Sequence, residues 1–100
     1  MISEICSAIE VHKVISFYYR GGSRLVEPYC YGFHKKTGDE VLRGFQVGGF
    51  SEFGEPFGWK LYPVGEILGI SITEKSYRGI REEYNPDDVM MKEIICRAEK

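Results

Sequence analysis

Histidine is scarce in this chain. His12 and His34 are the two present, too few for a histidine-based metal centre. His12 stands beside Lys13 at the end of an expected helix and His34 in a polar loop, so both read as solvated. The three cysteines, Cys6, Cys30 and Cys96, are odd in number and far apart, without the close pairing of a zinc site. They read as small buried apolar residues in a reducing compartment, Arg97 beside Cys96 being the one adjacent cation. No apolar run approaches the roughly 20 residues that cross a bilayer. The early apolar residues are interrupted by Glu4, Glu10, His12 and Lys13, which excludes a signal peptide and leads to a cytoplasmic expectation without membrane association. A surplus of positive charge is missing too: 13 Lys and Arg face 15 Asp and Glu, for a net charge of −2. That balance argues against a protein that grips nucleic acid through its whole surface, but leaves room for a local basic face.

Catalytic patterns are equally absent. Gly48-Gly49 and Gly54 lack the spacing and strand–helix setting of a phosphate-binding loop. No serine sits at a strand–turn–helix elbow. Glu27, Glu40, Glu52, Glu55 and Glu66 are scattered over turns and strand ends, Glu27 standing out only because Arg24 and Pro28 flank it. Acid–base work needs carboxylates gathered in a concave site. The expectation is a protein that is not an enzyme and uses no cofactor or metal.

Aromatics and glycine are abundant: seven Tyr, six Phe, one Trp and 12 Gly in 100 residues. This composition favours strands and turns in one domain, residues 1–100. Ser3 as N-cap and Glu4 in the first turn predict a helix over 3–13. Its apolar stripe Ile2, Ile5, Cys6, Ile9 faces a sheet. From Val14 the period changes to that of strands. Strands are expected over 14–19, 24–33, 40–47, 59–62 and 67–73, with a hairpin turn at Gly21-Gly22. Pro28 marks an edge or a bend in its strand. Asn85-Pro86-Asp87-Asp88 predicts a helical turn over 86–90, followed by a last strand over 93–98. The fold class is therefore α+β: an N-terminal helix packed on a small, strongly bent antiparallel β-sheet or Sm-like barrel.

Cations interleave with aromatics on three of these strands. Arg24, Arg43 and Lys60, with Tyr19 and Trp59 beside them and Tyr29 and Phe45 nearby, form a candidate ligand face on which bases could stack while cations meet phosphates. Arg43 and Gln46, three apart on one strand, point to opposite faces. A second feature is the Gly-rich segment 48–58, whose Phe50, Phe53 and Phe57 suit buried anchors at a protein interface. It suggests a homodimer or a larger protein partner.

Taken in order, the helix, Phe17-Tyr18-Tyr19, Arg24-x-Val26-Glu27-Pro28 and Trp59-Lys60-Leu61 resemble the WYL domain family over residues 5–72. The resemblance implies an Sm-like small β-barrel and a non-catalytic binding or regulatory role, as in bacterial transcriptional regulators and defence proteins. It also implies recognition of a small anionic ligand or single-stranded nucleic acid through Tyr19 and Arg24. The chain departs from the family where the naming tripeptide falls on Glu40-Val41-Leu42, and where two arginines of a later motif fall on Phe57 and Pro63. It also lacks the helix-turn-helix that usually precedes such a domain, which fits a stand-alone, divergent member.

Overall fold

The computed structural model describes residues 2–51, 54 and 56–99. Helix α1 (Ile2–Val11) opens the chain and buries Ile5, Ala8 and Ile9 at helical spacing against the sheet. It begins before Ser3, so Ser3 lies inside the first turn rather than at the cap. It also stops short of residue 13. His12 takes a left-handed φ of 55°, which turns the backbone straight into β1 (Lys13–Tyr19). His12 is not the solvated helical residue expected from sequence. Its ring stacks on Tyr77 with centroids 5.2 Å apart, and its carbonyl accepts a 2.9 Å hydrogen bond from the Tyr77 N–H.

A two-residue turn at Arg20-Gly21, both with positive φ (40° and 96°), joins β1 to β2 (Gly22–His34). Such mirror-type turns match the strand twist. The turn sits one residue earlier than expected, because Gly22 belongs to the strand and pairs with Tyr19. A side chain at Gly22 would put its Cβ 2.4 Å from the Cβ of Phe50. β3 (Glu40–Gly49) lines one edge of β2 from Arg24 to Phe33. The other edge is shared: β1 pairs with Gly22–Val26, and β6 (Met91–Arg97) with Cys30–His34. Pro28, which has no N–H to donate, falls in the gap between the two partners and at a register shift against β3. It marks a bend in an interior strand rather than an edge.

β4 (Gly58–Pro63) pairs with β3, and β5 (Leu68–Ser76) pairs with β1, giving the path β4-β3-β2-β1-β5 with β6 alongside β2. β4 and β5 end that path at opposite edges, yet a 3-10 turn at Val64–Glu66 and one further residue connect them. Four strand spacings in a flat sheet span roughly 19 Å, more than such a turn can bridge. The sheet must curl so that its edges approach. Among the described residues the edges do not pair, so the sheet is unclosed.

Two aromatic layers result. One holds Phe17, Tyr19 and Tyr62 in edge-to-face contact. On the other side Tyr29 meets Trp59, Tyr77 and Tyr84, two of them supplied by residues 77–90. No helix forms at 86–90. There the Asp88 and Asn85 side chains accept hydrogen bonds from the Met90 and Asp87 N–H groups, a local alternative to helical pairing.

The cysteines differ most from expectation. Cys6 on α1 and Cys96 on β6 form a disulfide, with Cα atoms 5.8 Å apart. Cys30 alone is a free, buried thiol.

Burial raises the phenol pKa of Tyr29 to about 12, and lifts those of Tyr31, Tyr62, Tyr77 and Tyr84 further. The fold thus prefers each neutral phenol, while the unfolded chain ionises near the ordinary value of about 10. Stability is expected to hold below that pH and to fall steeply above it. In an alkaline titration, tyrosinate absorbance from these residues should appear together with loss of circular dichroism rather than before it.

Candidate functional site

Arg24 stands opposite Phe17 on β1 and Gly49 on β3, and this register turns it inward. Only 4% of its surface is exposed. Its Nη2 donates to the carbonyls of Tyr19 (3.0 Å), the last residue of β1, and Arg20 (3.5 Å), the first of the hairpin turn. Nη1 reaches Gln46 Oε1 at 3.4 Å, and Nε has no partner among the described residues. The guanidinium carbon lies 5.0 Å from the centre of the Tyr19 ring and 5.4 Å from that of Phe50, within cation–π range. No carboxylate among the described residues pairs with it.

Gln46 fixes this arrangement from below. Its amide is fully buried, donates to the carbonyls of Gly48 (3.0 Å) and Phe50 (2.8 Å), and accepts from the Tyr62 hydroxyl at 3.0 Å. Burial raises the Tyr62 phenol pKa despite the opposing charge of Arg24, so its proton is available for that bond.

A cavity of about 170 Å³ opens over this network, lined by Tyr19, Arg20, Arg24, Ser51, Lys60, Leu61 and Tyr62. Arg20 is held by two hydrogen bonds to Glu66 at 2.8 and 3.1 Å. These keep the exposed Glu66 carboxyl below its ordinary pKa. The cavity thus presents the desolvated Arg24 guanidinium between aromatic walls, with the Arg20 charge already engaged by Glu66.

The structure brings Tyr19, Arg24 and Lys60 together and leaves Arg43 and Trp59 elsewhere. Successive strand residues face opposite sides, so Trp59 cannot share a face with Lys60. Its indole N–H points to Glu83 at 3.2 Å, and its ring packs on Phe45 and Tyr84. Arg43 lies on that same side, bound to Asp88 through Nε at 2.7 Å and Nη2 at 3.4 Å. These residues border a separate cavity of about 260 Å³ whose arginine is already neutralised. The expected five-residue face is therefore two sites, one whose Arg24 guanidinium meets no carboxylate among the described residues and one with a closed ion pair.

Glu27 also differs from its sequence reading. It is buried, takes hydrogen bonds from Arg81 at 2.8 and 3.2 Å, and accepts from the Tyr29 hydroxyl at 3.2 Å. It pairs with neither Arg24 nor solvent. Glu40, for its part, accepts from the Tyr31 hydroxyl.

Of the three phenylalanines, Phe50 and Phe57 are described. Phe50 covers Arg24 and packs on Gly22, while Phe57 is 56% exposed. Phe53 lies outside the described residues. Sequence reasoning missed Arg20, Gln46 and Tyr62 as members of the site. The one signal available was the spacing that sets Gln46 opposite to Arg43.

No protein family, curated protein or solved structure matches the chain.

Asp88 offers a test of the closed side. Burial alone would raise its pKa, but the Arg43 and Met90 hydrogen bonds and the Arg43 charge hold it below the ordinary value. The stability this confers is fully present above the aspartate range of about pH 4 and is lost as pH falls through the folded value. Asp88→Ala leaves Arg43 unpaired under residues 77–90 and is expected to cost about 3 kcal/mol. Urea unfolding of both proteins from neutral to acid pH should show the gap narrowing as pH drops.

Proposed function

We propose that this chain is a non-catalytic, WYL-like binding module with an Sm-like barrel, and that its Arg24 cavity holds the anionic group of a ligand. The observation that carries the reading is a guanidinium buried to 4% exposure without a carboxylate among the described residues. Removing a cation from water costs several kcal/mol unless an opposite charge compensates. An incoming anion supplies that charge. The helix-first order and the short turn joining the two sheet edges support the barrel.

The cavity, at about 170 Å³, is smaller than the roughly 300–1,000 Å³ typical of whole-ligand pockets. It suits one phosphate or carboxylate group, with the remainder of a small molecule or a single-stranded nucleic acid lying outside. Because Arg43 and Trp59 face away, a strand would meet the protein at one end rather than along three β-strands. No described helix is long and apolar enough to cross a membrane; a cytoplasmic setting and a part in regulation belong to the same proposal.

The test is titration with inorganic phosphate, small carboxylates and labelled single-stranded DNA and RNA at low and moderate salt. Binding should weaken with salt and fall by about tenfold or more in Arg24→Met, as expected for loss of a charged hydrogen-bonding group. Arg24→Met removes the buried charge and also the hydrogen bonds to the Tyr19 and Arg20 carbonyls, so a melting curve of each protein accompanies the titration to show that the variant is folded where binding is read. Absence of binding at low salt, or equal binding by Arg24→Met, would overturn the reading.

A second reading rests on exposed apolar groups. Phe57 and, on β5, Leu68 and Ile72 are accessible, and no described strand lies beyond β5. These favour a second copy of the chain or another protein as partner. Light scattering over a concentration series should then show association that Phe57→Ser or Leu68→Ser weakens; a strict monomer excludes self-assembly.

A further inference from the structure

Cys6 and Cys96 are 90 positions apart in sequence, yet their disulfide ties α1 to β6. Neither residue is fully buried. Both line a cavity of about 340 Å³ together with His12, Arg97, Glu10 and Glu99. The part-exposed cysteines and the open cavity give a thiol a route to the bond from solvent, while the Arg97 guanidinium beside it is paired with Asp87 and Glu99.

The two elements it joins are the first helix and the last strand of the fold. α1 has ten residues, too few for stability without packing. β6 pairs with β2 through a register broken at two places. Beneath β6 lies Cys30, whose Sγ is 3.6 Å from Met91 Sδ at the start of that strand. Burial pushes the Cys30 thiol up to about 12, so it stays protonated and inert while β6 is in place.

We propose that the Cys6–Cys96 disulfide is a reversible redox lock: its reduction releases α1 and β6 while the sheet formed by β1 to β5 remains folded. The step is thiol–disulfide exchange. A thiolate of a glutathione- or thioredoxin-class reductant attacks one sulfur, forming a mixed disulfide and expelling the other cysteine as thiolate. A second reductant thiol then attacks the mixed disulfide and frees the first cysteine. Two electrons and two protons end on Cys6 and Cys96, and the reductant leaves as a disulfide. Release of β6 uncovers Cys30.

The oxidised full-length chain, equilibrated in glutathione redox buffers without denaturant, tests this. Alkylation with mass spectrometry counts thiols, and hydrogen exchange reports each element. The expected result is one two-electron transition in which amides of α1 and β6 exchange at least about tenfold faster in the reduced form. Cys30 should be alkylated faster only in that form, and reoxidation should restore protection. Cys6→Ser/Cys96→Ser should match the reduced protein in every buffer; the reduced wild type gives the answer should that variant fail to fold. The proposal is overturned if the bond withstands these buffers or if protection is unchanged on reduction. Simultaneous loss of protection in all strands also overturns it, since the bond would then brace the entire fold.

Discussion

One edge of β2 must be satisfied twice. The strand is 13 residues long, and neither β1 nor β6 is long enough to cover that edge alone. Pro28, with no N–H to offer, occupies the stretch where one partner has ended and the other has not begun. The division bends β2 and sets β1 and β6 at an angle around it. Beyond the bend, β6 comes so close that a Cβ on Gly32 would lie 2.1 Å from the Glu93 carbonyl oxygen. The curl that brings β4 and β5 toward each other, and the separation of two aromatic layers, follow from this one strand. So does the position of Arg24, on the β1-paired half of β2, away from the half that β6 covers.

Three arginines show how differently the molecule treats positive charge. Arg81 meets Glu27 and packs over Phe45 at 3.6 Å. Arg43 meets Asp88. In both cases a carboxylate reached from 45 or more positions away compensates the charge. Arg24 is more buried than either, and its partners are backbone carbonyls, an amide and two rings. Neutral acceptors orient a guanidinium but do not cancel its charge. The same bonds hold the Arg20-Gly21 turn, so Arg24 serves the hairpin and the cavity at once. A residue tied to the backbone in this way is already oriented before a ligand arrives, which lowers the entropic cost of binding.

Residues 77–90 and the disulfide play a related structural part. The segment has little regular structure but contributes Tyr77, Tyr84 and Asp88 to the layer over Tyr29 and Trp59. The disulfide fastens the last strand to the first helix, enclosing nearly the whole chain. A loop of that length restricts the unfolded ensemble by roughly 4–5 kcal/mol in the chain-entropy picture.

Local pattern was legible wherever neighbours in sequence decide structure. Apolar spacing placed α1, β-branched and aromatic runs placed the six strands to within a few residues, and Pro28 signalled the bend. Tyr19, Arg24 and Lys60 were legible only as part of a five-residue face that also held Arg43 and Trp59, although alternation along β4 sets Trp59 and Lys60 on opposite sides. Long-range partnership was not legible. Arg43 could not be set apart from Arg24 without knowing that Asp88 folds back over β3. Cys6 and Cys96 look like isolated apolar residues until α1 lies on β6, and Glu27 looks solvated until Arg81 covers it. The sequence by itself determined periodicity, and so which residues form strands and which side of each strand they occupy. Only the tertiary structure decided which charges are neutralised and which cysteines bond, because those energies fall off within a few ångströms and depend on distances that the folded chain alone creates.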